Sequence, residues 1–203
     1  MKIICIGRNY ANHAKELGNT VPTEPVFFLK PETAISPKGH PFFIPDFSSN
    51  IHYEVELVIK INRLGKHIEE RFAHKYYSEI GLGIDFTARD IQEEVKAKGL
   101  PWEKAKGFDG SAVISRTFIP KDELELANIS FSLHKNGESV QQGNSRDMIF
   151  NFNKIIAYIS QFYTLKIGDL IYTGTPAGVG QVVNGDTLDG FIGEHKLFTV
   201  KVR

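Results

Sequence analysis

Residues 51–61 read Ile-His-Tyr-Glu-Val-Glu-Leu-Val-Ile-Lys-Ile, an alternation that leaves this part of the chain little choice of local structure. Side chains along a strand point to opposite faces in turn, so Ile51, Tyr53, Val55, Leu57, Ile59 and Ile61 share one face. His52, Glu54, Glu56 and Lys60 share the other. The pattern predicts one strand over 51–61, with its apolar face in a core. A second strand is expected over Ile80–Asp85, ending in an acid, and Thr87 with Asp90 three residues later reads as the capped start of a helix running to Gly99.

The rest of the chain fits around these strands. Residues 2–6 read as a short buried strand and 9–17 as a helix that Gly18 can close. Six prolines, Pro22, Pro25, Pro31, Pro37, Pro41 and Pro45, cut residues 19–50 into extended pieces such as Val26–Lys30. Asn136-Gly137 supplies the two positive φ angles of a tight hairpin. A helix is expected from Ser145 to about Gln161, with Met148, Ile149, Phe152, Ile155, Ile156 and Ile159 along one stripe. Leu170–Gly174 and Leu197–Val202 return to strand. Many short strands, few helices and no regular βαβ alternation imply an α+β fold, mixed but mostly antiparallel, closed into a roll or barrel.

No linker-like segment divides the 203 residues, so one domain over 1–203 is expected. The 24 basic and 24 acidic residues cancel and no polybasic cluster occurs, which argues against a nucleic-acid or membrane-surface partner and for a small molecule. The N-terminal apolar stretch is too short for a secretory leader, and no run of about 18 apolar residues follows. The expectation is a cytoplasmic protein. Cys5, alone of its kind, lies among apolar residues and reads as core.

Glu54 and Glu56 stand two apart, roughly 6.6 Å along a strand, and can converge on one cation. On spacing alone the pattern equally describes a solvated strand face, which is the commoner origin of such a run. Asp85 would add a third carboxylate, and an all-oxygen donor set suits Mg²⁺ or Mn²⁺ rather than Zn²⁺ or copper. His13 and Glu16, three apart on the first helix, form either a surface pair or a general base with its orienting carboxylate. Lys106, in Trp102-Glu-Lys-Ala-Lys106-Gly107, is a surface lysine or a lysine held near an anion. Gly174-Thr-Pro-Ala-Gly-Val-Gly180 is a tight connection or a turn whose amides and Thr175 hydroxyl receive a carboxylate.

These signals gain weight from their order. Gly7-Arg-Asn-Tyr-Ala-x-His13-x-x-Glu16, Phe28-Leu-Lys30-Pro, His52-x-Glu54-x-Glu56-Leu, Asp85-x-Thr-Ala-Arg89-Asp-x-Gln92, Trp102-x-x-Ala-Lys106-x-Phe108-Asp, Gln142-x-x-x-x-x-Met148-Ile-Phe150 and Gly174-Thr-Pro-x-Gly-Val-Gly180 resemble the fumarylacetoacetate hydrolase family from residue 7 to the C-terminus. Glu32 departs from the pattern, in which Lys-Pro is often followed by Ser. The resemblance implies a β-roll, usually a homodimer, with a divalent ion on Glu54, Glu56 and Asp85. The expected ion is Mg²⁺, with Mn²⁺ or Ca²⁺ able to substitute. The resemblance also implies His13, Glu16 and Lys106 as catalytic groups and Arg8, Gln92, Thr175 and Lys30 as contacts to a small 2-oxo acid.

Among subfamilies the chain looks most like the acylpyruvase and oxaloacetate decarboxylase group. That implies metal-dependent cleavage of the C–C bond of 3-acylpyruvates through a pyruvate enolate, or decarboxylation of oxaloacetate. An isomerase or tautomerase of 2-hydroxy-dienedioates or oxaloacetate is the alternative, and a non-catalytic ligand-binding member stands further behind.

Overall fold

The alternating run predicted as one strand is broken at Glu54. In the computed structural model, which describes every residue except 17 and 19, Ile51–Tyr53 (β3) and Val55–Ile61 (β4) belong to different sheets. β4 lies inside a sheet ordered β2 (Val26–Lys30), β1 (Ile3–Gly7), β11 (Leu170–Tyr172), β4, β5 (Tyr77–Asp85) and β7 (Ala112–Ile114), with β8 (Ile119–Pro120) also on β5. β3 instead pairs with β6 (Thr87–Ala88) and β12 (Gly180–Gln181) in a three-stranded ribbon. A third sheet runs β10 (Glu138–Asn144), β9 (Ser130–Lys135), β13 (Thr187–Ile192) and β14 (His195–Lys201). Among the described residues, β1 and β11 are parallel and the other paired strands antiparallel. The fold is therefore α+β with a curled, mostly antiparallel sheet.

β4 is buried on both faces except at Lys60, so the acids at 54 and 56 face protein rather than water. One core cluster runs from Ile4 and Ile6 through Val55, Leu57 and Ile59 to Leu133, Ile155, Leu188 and Val200. It thus joins the large sheet to the four-stranded one. Cys5 lies in a second, smaller cluster with Ile3, Val58 and Tyr172, as the sequence implied. Glycine makes room where rings lie flat on the sheet. A Cβ at Gly83 would sit 2.4 Å from the Val113 carbonyl oxygen and 2.6 Å from the Tyr172 ring, and the Tyr172 hydroxyl donates to that same carbonyl at 2.5 Å.

The helices are shorter than the periodicity suggests. α1 covers Ala11–Glu16, and the expected end at residue 17 lies outside the described residues. α2 spans Arg89–Ala97, but Thr87 does not cap it; the flanking residue is Ala88, and Asp90 accepts from Ser48 Oγ, the Ser49 amide and the Ile91 amide. α3 is the single turn Glu103–Lys106. The helix expected from Ser145 begins only at Phe152 (α4, Phe152–Phe162), where the Asn151 side chain accepts from the Lys154 amide. Ile155, Ile156 and Ile159 are its buried stripe. Asn136 and Gly137 have φ of 55° and 88°, as a tight hairpin requires. No helix among the described residues is long and apolar enough to cross a membrane.

Candidate active site

The break at Glu54 brings the acids together. β4 and β5 pair with Val55 opposite Ile84, and the Asp85 amide donates to the Glu54 carbonyl at 2.8 Å, so the two acids are set across from one another where the strands part. Glu54, Glu56 and Asp85 are 5%, 2% and 1% exposed, and each offers a carboxylate oxygen within 4.8 Å of the others'. Three carboxylates do not share a dry site without compensation.

The compensation comes from three buried cations. Lys106 Nζ lies 2.8 Å from Glu54 Oε2 and 2.8 Å from Asp85 Oδ2, and donates to Thr87 Oγ1 at 2.6 Å. Arg89 pairs with the other oxygen of Glu54 and donates to Gln92 Oε1 at 2.5 Å. Lys30 Nζ stands 2.7 Å from Asp85 Oδ1 and donates to the Lys106 carbonyl and to Ser111 Oγ, the latter at 2.9 Å. Burial alone would raise the Glu54 pKa, but Lys106 and Arg89 hold it well below the usual carboxylate range. Burial would lower Lys106, yet Asp85 and Glu54 raise it.

Glu56 is the exception. Its Oε2 accepts the Gly174 amide at 2.6 Å, but among the described residues no cation pairs with it. Burial and then the charges of Asp85 and Glu54 push its pKa well above the ordinary value. A carboxylate left without a cation partner, in a donor set made wholly of hard oxygens, fits a divalent cation of the Mg²⁺, Mn²⁺ or Ca²⁺ kind. Glu54, Glu56 and Asp85 would hold it.

A cleft opens on these acids, and Arg8, His13, Gln92, Lys106 and Thr175 all line it with them. His13 is 6% exposed and its Nδ1 lies 3.1 Å from Glu16 Oε2; the Gly178 amide donates to Glu16 Oε1 at 3.0 Å, which pins the pair to the 174–180 turn. Gly178 has φ 97°, the left-handed region that favours glycine, and a Cβ there would stand 2.6 Å from the Val140 carbonyl oxygen. Arg8 holds φ 58°, an uncommon conformation for a side-chain-bearing residue and one that collects at functional sites. Trp102, Phe28 and Ile6 supply the apolar wall.

One expected substrate contact, Lys30, is not among the residues that line the cleft. Lys30 is 2% exposed and lies behind Asp85, outside the cleft lining, because β2 runs along the far edge of β1 and delivers its last side chain underneath the site. It positions Asp85 and the Lys106 backbone instead. Two further groups line the cleft and a third bonds Thr175 from outside the lining, none of them expected from the sequence as a site residue. Arg89 stood within a quoted block, one turn before Gln92; Lys96 lies one further turn along α2; Gln141, discussed below, sits beside the Gln142 that the motif singled out.

Residues 2–201 match the family described as fumarylacetoacetate (FAA) hydrolase, C-terminal, and the chain is an enzyme of that family. Its relatives include oxaloacetate tautomerase YcgM of Escherichia coli strain K12, 44% identical over 200 residues that cover 98% of this chain and 91% of the relative. A mitochondrial oxaloacetate decarboxylase of Dictyostelium discoideum is 48% identical over 189 residues, 92% of this chain and 86% of that one. A crystal structure of fumarylpyruvate hydrolase from Pseudomonas aeruginosa in complex with Mn²⁺ and pyruvate superposes with a TM-score of 0.92 at 36% identity, covering 100% of this chain and 89% of that one.

Proposed function

We propose that this chain interconverts the keto and enol forms of a small 2-oxo dicarboxylic acid of the oxaloacetate class, with Mg²⁺ as its ion. The observation that carries the reading is the buried His13, tied to Glu16 and opening on the same cleft as the three carboxylates. A bound divalent ion would supply Lewis acidity toward the 2-oxo and carboxylate oxygens of the substrate. With Nδ1 held by Glu16, His13 keeps Nε2 to take a proton from the carbon next to the ketone and return it, while Glu16 steadies the imidazolium between the two steps. The buried Lys106 ammonium balances the negative charge that develops on the substrate oxygen. Gln92 spends its carbonyl on Arg89 and keeps its amide hydrogens for substrate. Arg8 and Lys96 line the cleft with it and give a second carboxylate a cationic wall. The names of the tautomerase and decarboxylase relatives support the same substrate class.

A second reading, hydrolysis of 3-acylpyruvates, is favoured by the anchoring of Glu16 to the Gly178 amide, which holds His13 in place to deprotonate an attacking water. Both readings use His13, so products separate them. The test presents oxaloacetate enol and acetylpyruvate to the Mg²⁺-loaded protein and follows enol loss and pyruvate release by absorbance. Faster ketonisation than in buffer, lost in His13→Ala by at least about a hundredfold, is expected; no acceleration in the wild type would sink the proposal. We also propose the homodimer implied by the resemblance, which sedimentation equilibrium tests.

A further inference from the structure

A bulge in β10 aims a buried amide at the site. Ser139 pairs with His134 but Gln141 pairs with Leu133, so Val140 is an extra residue in the ladder. Bulges of this kind re-aim side chains next to active sites. Here the shift turns Gln141 inward, 2% exposed, and leaves Gln142 outside.

The inward amide bridges two parts of the site. Gln141 Oε1 accepts the backbone amide of Val55, the residue between Glu54 and Glu56, at 2.9 Å. Its Nε2 donates to the Pro176 carbonyl at 3.0 Å and to Thr175 Oγ1 at 2.9 Å. The two backbone partners settle which end of the amide is which, since a peptide N–H only donates and a carbonyl oxygen only accepts. Both Nε2 hydrogens are then spent, and Thr175 Oγ1 is an acceptor toward Gln141. The Thr175 hydroxyl hydrogen must go elsewhere. Among the described residues it meets no other acceptor, Thr175 is 3% exposed, and its side chain lines the cleft.

We propose that Gln141 is a positioning residue that fixes the direction of this hydrogen-bond chain, Val55 N–H to Gln141 to Thr175, and thereby makes Thr175 an obligatory donor to an anionic oxygen of the bound substrate. The inference rests on the reading of the cleft as a site for 2-oxo acid anions. It deepens that reading by giving Thr175 a polarity and Gln141 a purpose.

The polarity makes an unusual ordering testable. Gln141→Met removes the amide and leaves the Thr175 hydroxyl free to rotate toward a ligand. Gln141→Glu keeps the shape but presents an acceptor that captures the hydroxyl hydrogen and turns it from the cleft. Pyruvate binding to the Mn²⁺-loaded protein, measured by calorimetry, should weaken in the order wild type, Gln141→Met, Gln141→Glu, the last by at least about tenfold. Mn²⁺ affinity should stay within about threefold in Gln141→Met, as it would not if the change simply distorted the Glu54–Glu56 strand. The added charge of Gln141→Glu repels an anion whatever Thr175 does, so the pair is repeated in Thr175→Val. There the gap between Met and Glu should shrink; an unchanged gap, or Gln141→Glu binding as tightly as Gln141→Met, overturns the proposal. Should the Gln141 variants not fold, Thr175→Val alone decides: it must lose pyruvate by about tenfold while Thr175→Ser retains it, and wild-type affinity in Thr175→Val overturns the proposal. Wild-type protein that holds Mn²⁺ but no pyruvate would overturn the underlying substrate reading instead.

Discussion

Glu56 shows how the charge around a single carboxylate sets a measurable property of the site. An acid whose pKa is raised in the folded state binds a proton on folding, so in the metal-free protein its contribution is most favourable below the unfolded value of about 4.3 and is lost as pH rises toward the raised value. An arriving cation must displace that proton. Mg²⁺ affinity should therefore increase as pH rises toward the raised Glu56 value, and calorimetry in two buffers of different ionisation heat should register close to one proton released per ion below that value. Equal apparent heats in both buffers would contradict this. The three clustered carboxylates were legible in the sequence as alternating and ordered acids; their burial was not. A strand face that reads His-x-Glu-x-Glu looks the same whether it meets water or Lys106 and Arg89, because those partners arrive from α3 and α2, 35 and more residues downstream. Lys30 is the converse case: its block stands in the same order, but its side chain lies against Asp85 and outside the cleft lining.

Elements succeed or fail here at their irregularities. Strand positions followed from period-2 alternation, and the Asn136-Gly137 hairpin from its dipeptide. The break at Glu54 and the bulge at Val140 left no mark in the pattern, since one face of 51–61 is apolar from end to end and one extra residue in β10 costs no apolar position. The motif accordingly drew attention to Gln142 where the structure buries Gln141. Thr87, read as a cap, is drawn to Lys106 instead, and the helix expected from Ser145 on its apolar stripe starts only where Asn151 caps it, six residues later. Gly83 tests the sheet itself. Gly83→Ala would push a methyl against both the Val113 carbonyl and the Tyr172 ring, with backbone on one side unable to give way. A loss of about 1–3 kcal/mol is expected, read as a fall in Tm of roughly 2–4 °C for each kcal/mol. An unchanged Tm would show that β5 and β7 part without cost.

For the molecule as a whole, the fold class and the family were readable from end to end, whereas the reaction was not, because a 2-oxo acid site that stabilises an enolate serves tautomerisation, decarboxylation and hydrolysis alike. Ion binding should stabilise the folded chain by mass action, by about 2.7 kcal/mol at a hundred times the dissociation constant. Scanning calorimetry with Mg²⁺ and with chelator checks this, and identical melting curves would argue against the Glu54, Glu56 and Asp85 assignment. The division of residues 51–61 between two sheets has a consequence for time as well as for energy. Glu54 sits at the joint between the ribbon of β3, β6 and β12 and the large sheet, and Glu56 and Asp85 belong to the large sheet alone. An ion shared by the three would act as a rivet across that joint, so amide exchange at His52 and Thr87 should slow when it is seated, and the ion's own residence time should be set by how often the ribbon swings open.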